Sequence, residues 1–409
     1  MQSLYLRKIT TWFLFLFCIQ YIPIEGYGVS LFKMGLMTCA ILFLLFREFK
    51  MSKALVIGFI YIIFQYLTAS FHPESFRSST LIYSVLLVLT YICFYNLITI
   101  EKVFSIDYFI KISKLFIKIF FFIAIIQQGL TLIGLNYVPI INLCLGLNRG
   151  IGCNSLFIEP SHFGRFILVF YYAYIKCCEY KRDEGPFTLK ELLSGEHKWT
   201  TIYFLWMMTT MGSGTAFVGI ILFSLYFVNK HNWYYTIPAL IIAYSLIQAS
   251  GIEALDRATS TMKATTTLDA ETVAETDHSA SARITPILNS LNVDFTNFDT
   301  WFGKGIDAGL KDKANRTLFD DYGFIFYLIS LSLNISCAYG FSFLAVIFMF
   351  IGLAGGSGGN IQYGWALMMI MTCVKYFHDN RYNPEIYEEE ETDDDVIIET
   401  NNLCAVHKD

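Results

Sequence analysis

Charge is scarce in this 409-residue chain: Asp, Glu, Lys and Arg make up 15% of it, against about 25% in an ordinary soluble domain. With 55% hydrophobic and 17% aromatic residues, such a surface calls for lipid as solvent. Strand-like alternation of apolar and polar residues is missing, which argues against a β-barrel. CxxC and Cys/His ligand spacings are missing too, although the chain has 10 cysteines. Cys18, Cys39, Cys93, Cys337 and Cys373 are scattered inside apolar runs and read as small buried hydrophobes, so no metal and no cofactor is expected. An excess of basic charge is lacking: the net charge is -5, which argues against a nucleic-acid partner, and much of it comes from the tail Glu385 to Asp395. No small-residue cleavage site follows the apolar stretch Trp12 to Ile24, which therefore reads as a first membrane helix and not as a removable leader.

What the chain does have is apolar runs of about 15 to 22 residues separated by short polar breaks, the length a helix needs to cross roughly 30 Å of hydrocarbon. The expected fold is an all-α polytopic membrane protein with about twelve transmembrane helices, at residues 9–24, 29–46, 54–71, 80–100, 115–135, 160–176, 199–211, 214–229, 234–250, 319–336, 339–354 and 361–377. The linkers 47–53 (Arg47, Lys50, Lys53), 101–114 (Lys102, Lys111, Lys114) and 177–198 (Lys181, Arg182, Lys190, Lys198) are basic, and their alternates hold little Lys or Arg. By the positive-inside rule both termini are cytoplasmic. The chain then divides into membrane helices over 1–250, a large external loop over 251–318, three further helices over 319–377 and an acidic cytoplasmic tail over 378–409.

Residues 199–229 pose a choice, because about 30 residues of helix would be some 45 Å long. Gly212-Ser213-Gly214 interrupts the middle, and two short helices meeting there are expected, whether they span or form a re-entrant hairpin. A single tilted span would instead place 251–318 in the cytoplasm. Within that loop, residues 251–282 are rich in Ala, Thr, Asp and Glu and offer little to bury. After Arg283 the character changes: Ile284, Ile287, Leu288 and Leu291 recur at helical spacing, followed by Phe295, Phe298, Trp301 and Phe302. This second half is expected to pack on the membrane helices.

Polar chemistry concentrates at Glu159-Pro160-Ser161-His162-Phe163-Gly164-Arg165-Phe166. Pro160 opens a helix at no hydrogen-bond cost, and Glu159 sits where the dipole favours an anion; a cap at the membrane edge would account for those two alone. His162 lies one turn on and Arg165 a second turn deep, the three side chains covering about 120° of helix surface at 100° per residue. An arginine inside a span costs about 2.5 to 3.5 kcal/mol on insertion scales, so it faces an interior cavity or partner, or snorkels to the interface. Arg149, in the preceding loop, adds a second cation. Cys144 and Cys153 share this external loop, and an oxidising compartment would allow them to pair, which their spacing alone does not decide.

The loop Asn148-Arg149-Gly150 followed by FIEPSHFGRF resembles the stretch that O-antigen polymerases carry at the outer end of a middle helix. MTTMGSGTAFVGI is similar to the Ser/Gly break between two later helices of that family, WFGKGIDAG to the turn ending its large periplasmic loop, and DDYGFIFYLI to the helix start that follows. The resemblance spans roughly residues 148–330; the first five helices match only in being apolar. It implies the integral-membrane, C-type glycosyltransferase architecture and a polymerase that joins lipid-linked repeat units at the periplasmic face of a bacterial inner membrane. Its partners would be undecaprenyl-pyrophosphate-linked oligosaccharide donor and acceptor, and a chain-length-regulating co-polymerase is a further candidate partner.

Such a transfer needs a base for the acceptor hydroxyl and cations for the leaving pyrophosphate. Glu159, with His162 beside it, is the candidate catalytic pair, and Arg149, Arg165 and Arg283 are the candidate pyrophosphate ligands, since guanidinium forks match phosphate oxygens. Asp320, Asp321 and Tyr322 are secondary candidates, the two aspartates also reading as plain complements of a helix start. Gly303, Gly305 and Gly309 read as a turn and not as a phosphate-binding fingerprint. O-antigen ligases share the general layout but often carry a histidine where this chain has Asp320 to Tyr322, which favours the polymerase. From another class, a flippase for lipid-linked oligosaccharides would be built from repeated halves, and no internal repeat is found here.

Overall fold

The computed structural model describes residues 2–19, 31–46, 50–75, 78–135, 153–157, 159–182, 185–228, 294–306, 318–338, 342–347 and 362–383, with isolated positions beside them. Among these residues the regular structure is helical, and no strand occurs. The helices are α1 (Gln2–Cys18), α2 (Leu31–Phe46), α3 (Lys53–Phe71), α4 (Ser78–Thr99), α5 (Ile106–Leu132), α6 (Pro160–Arg182), α7 (Leu189–Leu192), α8 (Lys198–Thr210), α9 (Gly214–Ser224), α10 (Phe298–Phe302), α11 (Leu318–Ser336) and α12 (Gln362–Asp379).

Two of them, α3 and α4, are long and apolar enough to cross a membrane; at 1.5 Å per residue their 19 and 22 residues match a hydrocarbon core of roughly 30 Å. Several helices overrun the apolar stretches that announce them. α1 begins at Gln2 and takes in Arg7 and Lys8, and α5 begins at Ile106 and takes in Lys111 and Lys114. Local chemistry sets these starts: Ser105 caps α5 by accepting from the Tyr108 amide at 3.2 Å, and Asp107 in the first turn complements the dipole. Ser52 caps α3 in the same way, through the Leu55 amide at 3.2 Å.

α6 is the axis of the assembly, packed by α5, α8, α9 and α12 and buried along nearly its whole length. Small residues let its neighbours in. A Cβ on Gly164 would stand 3.0 Å from Met211 Sδ and 3.1 Å from Ala216 Cβ, and one on Gly219 would stand 3.1 Å from Leu168 Cδ2. Met211 and Ala216 flank the Gly212-Ser213-Gly214 break, so the stretch 199–229 is two helices meeting at that turn. With 13 and 11 residues, α8 and α9 are about 20 and 17 Å long, short of a full crossing and suited to a hairpin.

The three basic linkers meet at one end of the bundle. Lys50 pairs with Glu101 at 3.1 Å and Lys114 with Glu196 at 2.9 Å, while Lys181 pairs with Asp107. The end of α12 joins them where the Tyr180 ring packs 5.7 Å from His378. At the end of α3 away from those linkers, Phe298 and Phe302 of the aromatic block lie 5.3 and 5.2 Å from Phe71. The described part of the second half of the 251–318 loop thus packs on helix ends, as its aromatic residues predict.

Candidate functional site

The approach to α6 is held by side chains where no regular backbone ladder exists. Cys153, Asn154 and Ser155 are fully buried, and Ser155 takes a positive φ of 48°. The Gln127 amide, reaching over from α5, serves three backbone groups of this turn. Its Oε1 accepts from the Asn154 and Ser155 amides at 3.2 and 2.9 Å, and its Nε2 donates to the Ser155 carbonyl at 2.7 Å. Ser155 Oγ donates to the Phe120 carbonyl at 2.9 Å, and Asn154 Nδ2 to the Phe157 carbonyl at 2.6 Å. Gln128 ties α5 to α8, accepting from Trp206 Nε1 at 3.1 Å and donating to Thr210 Oγ1 at 2.7 Å. Buried polar groups without such partners would be costly, so these glutamines fix where α6 begins. Phe157 completes the anchor, its ring 4.9 Å from Phe166 and 5.5 Å from Phe163.

On that foundation stands the first turn of α6. The Glu159 carbonyl accepts from the His162 and Phe163 amides, both at 3.1 Å. Its carboxylate accepts from Ser161 Oγ at 3.0 Å and lies 3.9 Å from His162 Nε2. The Glu159 side chain is 47% exposed and that of His162 22%, so this pair is partly exposed. Arg165 is not: it is 3% exposed, and its Nε donates to the Ser161 carbonyl at 3.2 Å. The snorkelling alternative for Arg165 therefore gives way to a guanidinium enclosed by protein. No protein-family model, no curated protein and no solved structure matches this chain. Chemical meaning must then be drawn from the geometry: a half-exposed carboxylate, a histidine within 4 Å of it and a buried guanidinium one turn deeper.

Asp321 and Tyr322 belong to a second polar cluster, with partners on α3 and α10. Tyr322 is buried; its hydroxyl lies 3.5 Å from Gln65 Nε2, its carbonyl 3.5 Å from Thr68 Oγ1, and its ring stacks on Phe326 at 4.5 Å. The Asp321 carbonyl accepts from the Gly305 amide at 3.1 Å. Here the glycines act through their backbones. Gly303 and Gly323 have φ of 82° and 84°, conformations that other residues rarely adopt, and a Cβ on either would collide with the other's strand of backbone. Gly323 also kinks α11, so Asp320 and Asp321 stand on a short turn ahead of the kink and not at the start of an unbroken helix. His72 borders the cluster, 3.4 Å from Glu74 and 4.0 Å from Asp299. Asp294 opens the aromatic block; bonds from the Thr296 hydroxyl and amide hold its carboxyl below the usual range.

Of the residues singled out in the sequence, Glu159, His162 and Arg165 are brought together, and Asp321 and Tyr322 are placed in the second cluster. Arg149 and Arg283 lie outside the described residues, as do Cys144 and Gly309. Among the described residues no three His, Cys, Asp or Glu side chains gather as a metal site. Sequence reasoning missed Gln127 and Gln128; two adjacent glutamines in the apolar second half of α5 are the available signal. It also missed His72, set in the short break between the third and fourth apolar runs.

Proposed function

We propose that this chain is a multi-pass protein of a bacterial inner membrane, with about twelve spans and both termini in the cytoplasm, that polymerises lipid-linked repeat units of O-antigen or a related surface polysaccharide at the periplasmic face. The observation that carries the reading is the outer end of α6, where a half-exposed Glu159 and His162 stand above a buried Arg165. The gathering of the three basic linkers at the opposite end supports the topology, and the paired short helices α8 and α9 behind Gly164 support the likeness to the polymerase layout.

In this reading the growing glycan is the donor. A hydroxyl of the new lipid-linked unit attacks the anomeric carbon of the donor, the bond from that carbon to the pyrophosphate oxygen breaks, and the hydroxyl proton passes to the Glu159 carboxylate. Undecaprenyl pyrophosphate leaves with the electron pair. Arg165, with Arg149 and Arg283, balances the charge that develops on it. His162 positions Glu159 and shares its charge. No nucleotide sugar is consumed, because the energy of the step resides in the sugar-pyrophosphate bond.

Deleting the gene should leave lipopolysaccharide capped with single repeat units, and Glu159→Gln should give the same pattern while the protein still accumulates. Loss of the single-unit cap together with the long chains would instead identify a ligase or a flippase. Normal long-chain ladders from Glu159→Gln would remove Glu159 from the reaction.

A further inference from the structure

Between the inner halves of α5 and α8 lies a groove of about 370 Å³ lined by Lys114, Leu115, Lys118, Trp199, Thr200 and Tyr203. It sits beside the basic linkers, at the end of α6 opposite Glu159, and takes no part in the site above. Two features make it more than a solvated edge. Lys118 stands three residues inside the apolar run that begins at Leu115, 6.0 Å over the Phe122 ring, and makes no ion pair among the described residues. A cation at such depth needs an anion or water at hand.

The surroundings change character along one stripe of α5. Lys111, Leu115, Lys118, Phe122 and Ile126 recur on its exposed face at spacings of three and four residues, cationic toward the linkers and purely apolar beyond Lys118. Across the groove Trp199 is 62% exposed and Tyr203 is fixed by stacking on Phe121 at 4.3 Å; Trp206, 44% exposed, follows farther along α8 beside Gln128. A charged head beside an apolar trough walled by Trp is the shape of one lipid molecule, with phosphate at the lysines and chains toward the membrane centre. Glu196 holds Lys114 at 2.9 Å but is itself 72% exposed, so two further N–H donors of that ammonium remain for a phosphate oxygen.

We propose that this groove binds an anionic glycerophospholipid of the cytoplasmic leaflet, its phosphate between Lys114 and Lys118 and its acyl chains along Leu115, Phe122 and Trp206. The inference rests on the membrane topology of the preceding section and not on the polymerase activity. Full-length protein in mild detergent, titrated with brominated-chain phosphatidylglycerol or phosphatidylcholine, reports occupancy through quenching of tryptophan fluorescence. Phosphatidylglycerol should quench at lower concentration, and Trp199→Phe should remove most of the difference. Each of Lys114→Gln and Lys118→Gln should weaken the preference about five-fold, Lys118→Arg should keep it, and Glu196→Gln should strengthen it.

Equal quenching by the two lipids would overturn the proposal, as would a preference unchanged in the double glutamine variant. Displacement of phosphatidylglycerol by millimolar inorganic phosphate would overturn it in favour of a site for free anions. Flotation of the protein with membranes tests the underlying topology separately. A protein that floats but shows no preference sinks only the lipid site, whereas one that does not float sinks both.

Discussion

The two ends of α6 each carry a glutamate, and the contrast between them is instructive. At the C-terminal end Glu179 is 6% exposed, ion-paired with Lys176 and hydrogen-bonded by the Tyr226 hydroxyl. Around it Arg182 bonds Glu191 at 3.2 Å and lies 3.8 Å over the Phe187 ring, and the Phe187 amide donates to Tyr226 at 3.0 Å. At the N-terminal end Glu159 keeps nearly half its surface open and shares its carboxylate with Ser161 and His162. Twenty residues of one helix, about 30 Å, thus separate a buried carboxylate that ties protein together from a half-exposed one.

The largest effect should fall on that N-terminal end. Glu159→Gln is expected to lower the proposed polymerisation about 10² to 10⁴-fold, the range for removing a general base, while its stability stays within the roughly 0.5 kcal/mol scatter of a surface change. Equal losses of activity and stability would erase the distinction between the two ends. Glu179→Ala should do the reverse, costing about 3 kcal/mol because a buried carboxylate that binds Lys176 and Tyr226 is removed. Adding Lys176→Met should restore part of that loss in the same melting experiment.

Gln127→Ala sharpens the comparison, since it leaves two amides and a carbonyl of the 153–155 turn unserved. A cost of about 2 kcal/mol should come with a fall in activity larger than in stability, because the start of α6 shifts. The smallest effects are those of pH on the inner linker. Burial lowers the His197 imidazole from its ordinary value of 6.5, so its contribution is whole above that value and is lost as pH falls below it. Glu191 is held down to about 2, first by the Thr188 amide, so it stays ionised long after ordinary carboxylates protonate. The melting temperature should therefore fall modestly from pH 7 to 5, and His197→Gln should flatten that slope.

Much of this arrangement is legible in the residues themselves. The Gly212-Ser213-Gly214 break, the basic linkers and the aromatic block from Phe295 to Phe302 each announce the element that the structure displays, because their signals are local. Helix starts are less legible: hydropathy marks the apolar stretch, whereas caps such as Ser105 extend α5 nine residues ahead of it. Gly303 reads as turn chemistry and Gly323 as part of a helix start, yet the two meet at a backbone crossing between segments twenty residues apart. Gln127 and Gln128 look neutral in a run of Phe, Ile and Leu, and only their partners at Ser155 and Trp206 reveal what they hold. At the candidate site the sequence marks Glu159, His162 and Arg165 together, while the burial of Arg165 at 3% exposure depends on tertiary packing that local sequence does not encode.

The most direct test of Glu159 as the base of a lipid-linked polymerisation is a reconstituted reaction: purified protein incubated with lipid-linked repeat units, without nucleotide sugar or added metal, and the products resolved by size. Longer lipid-linked oligomers from the natural protein and none from Glu159→Gln are expected. Oligomers formed equally by the Glu159→Gln protein would contradict the role given to that carboxylate, and no oligomers from either would contradict the activity itself.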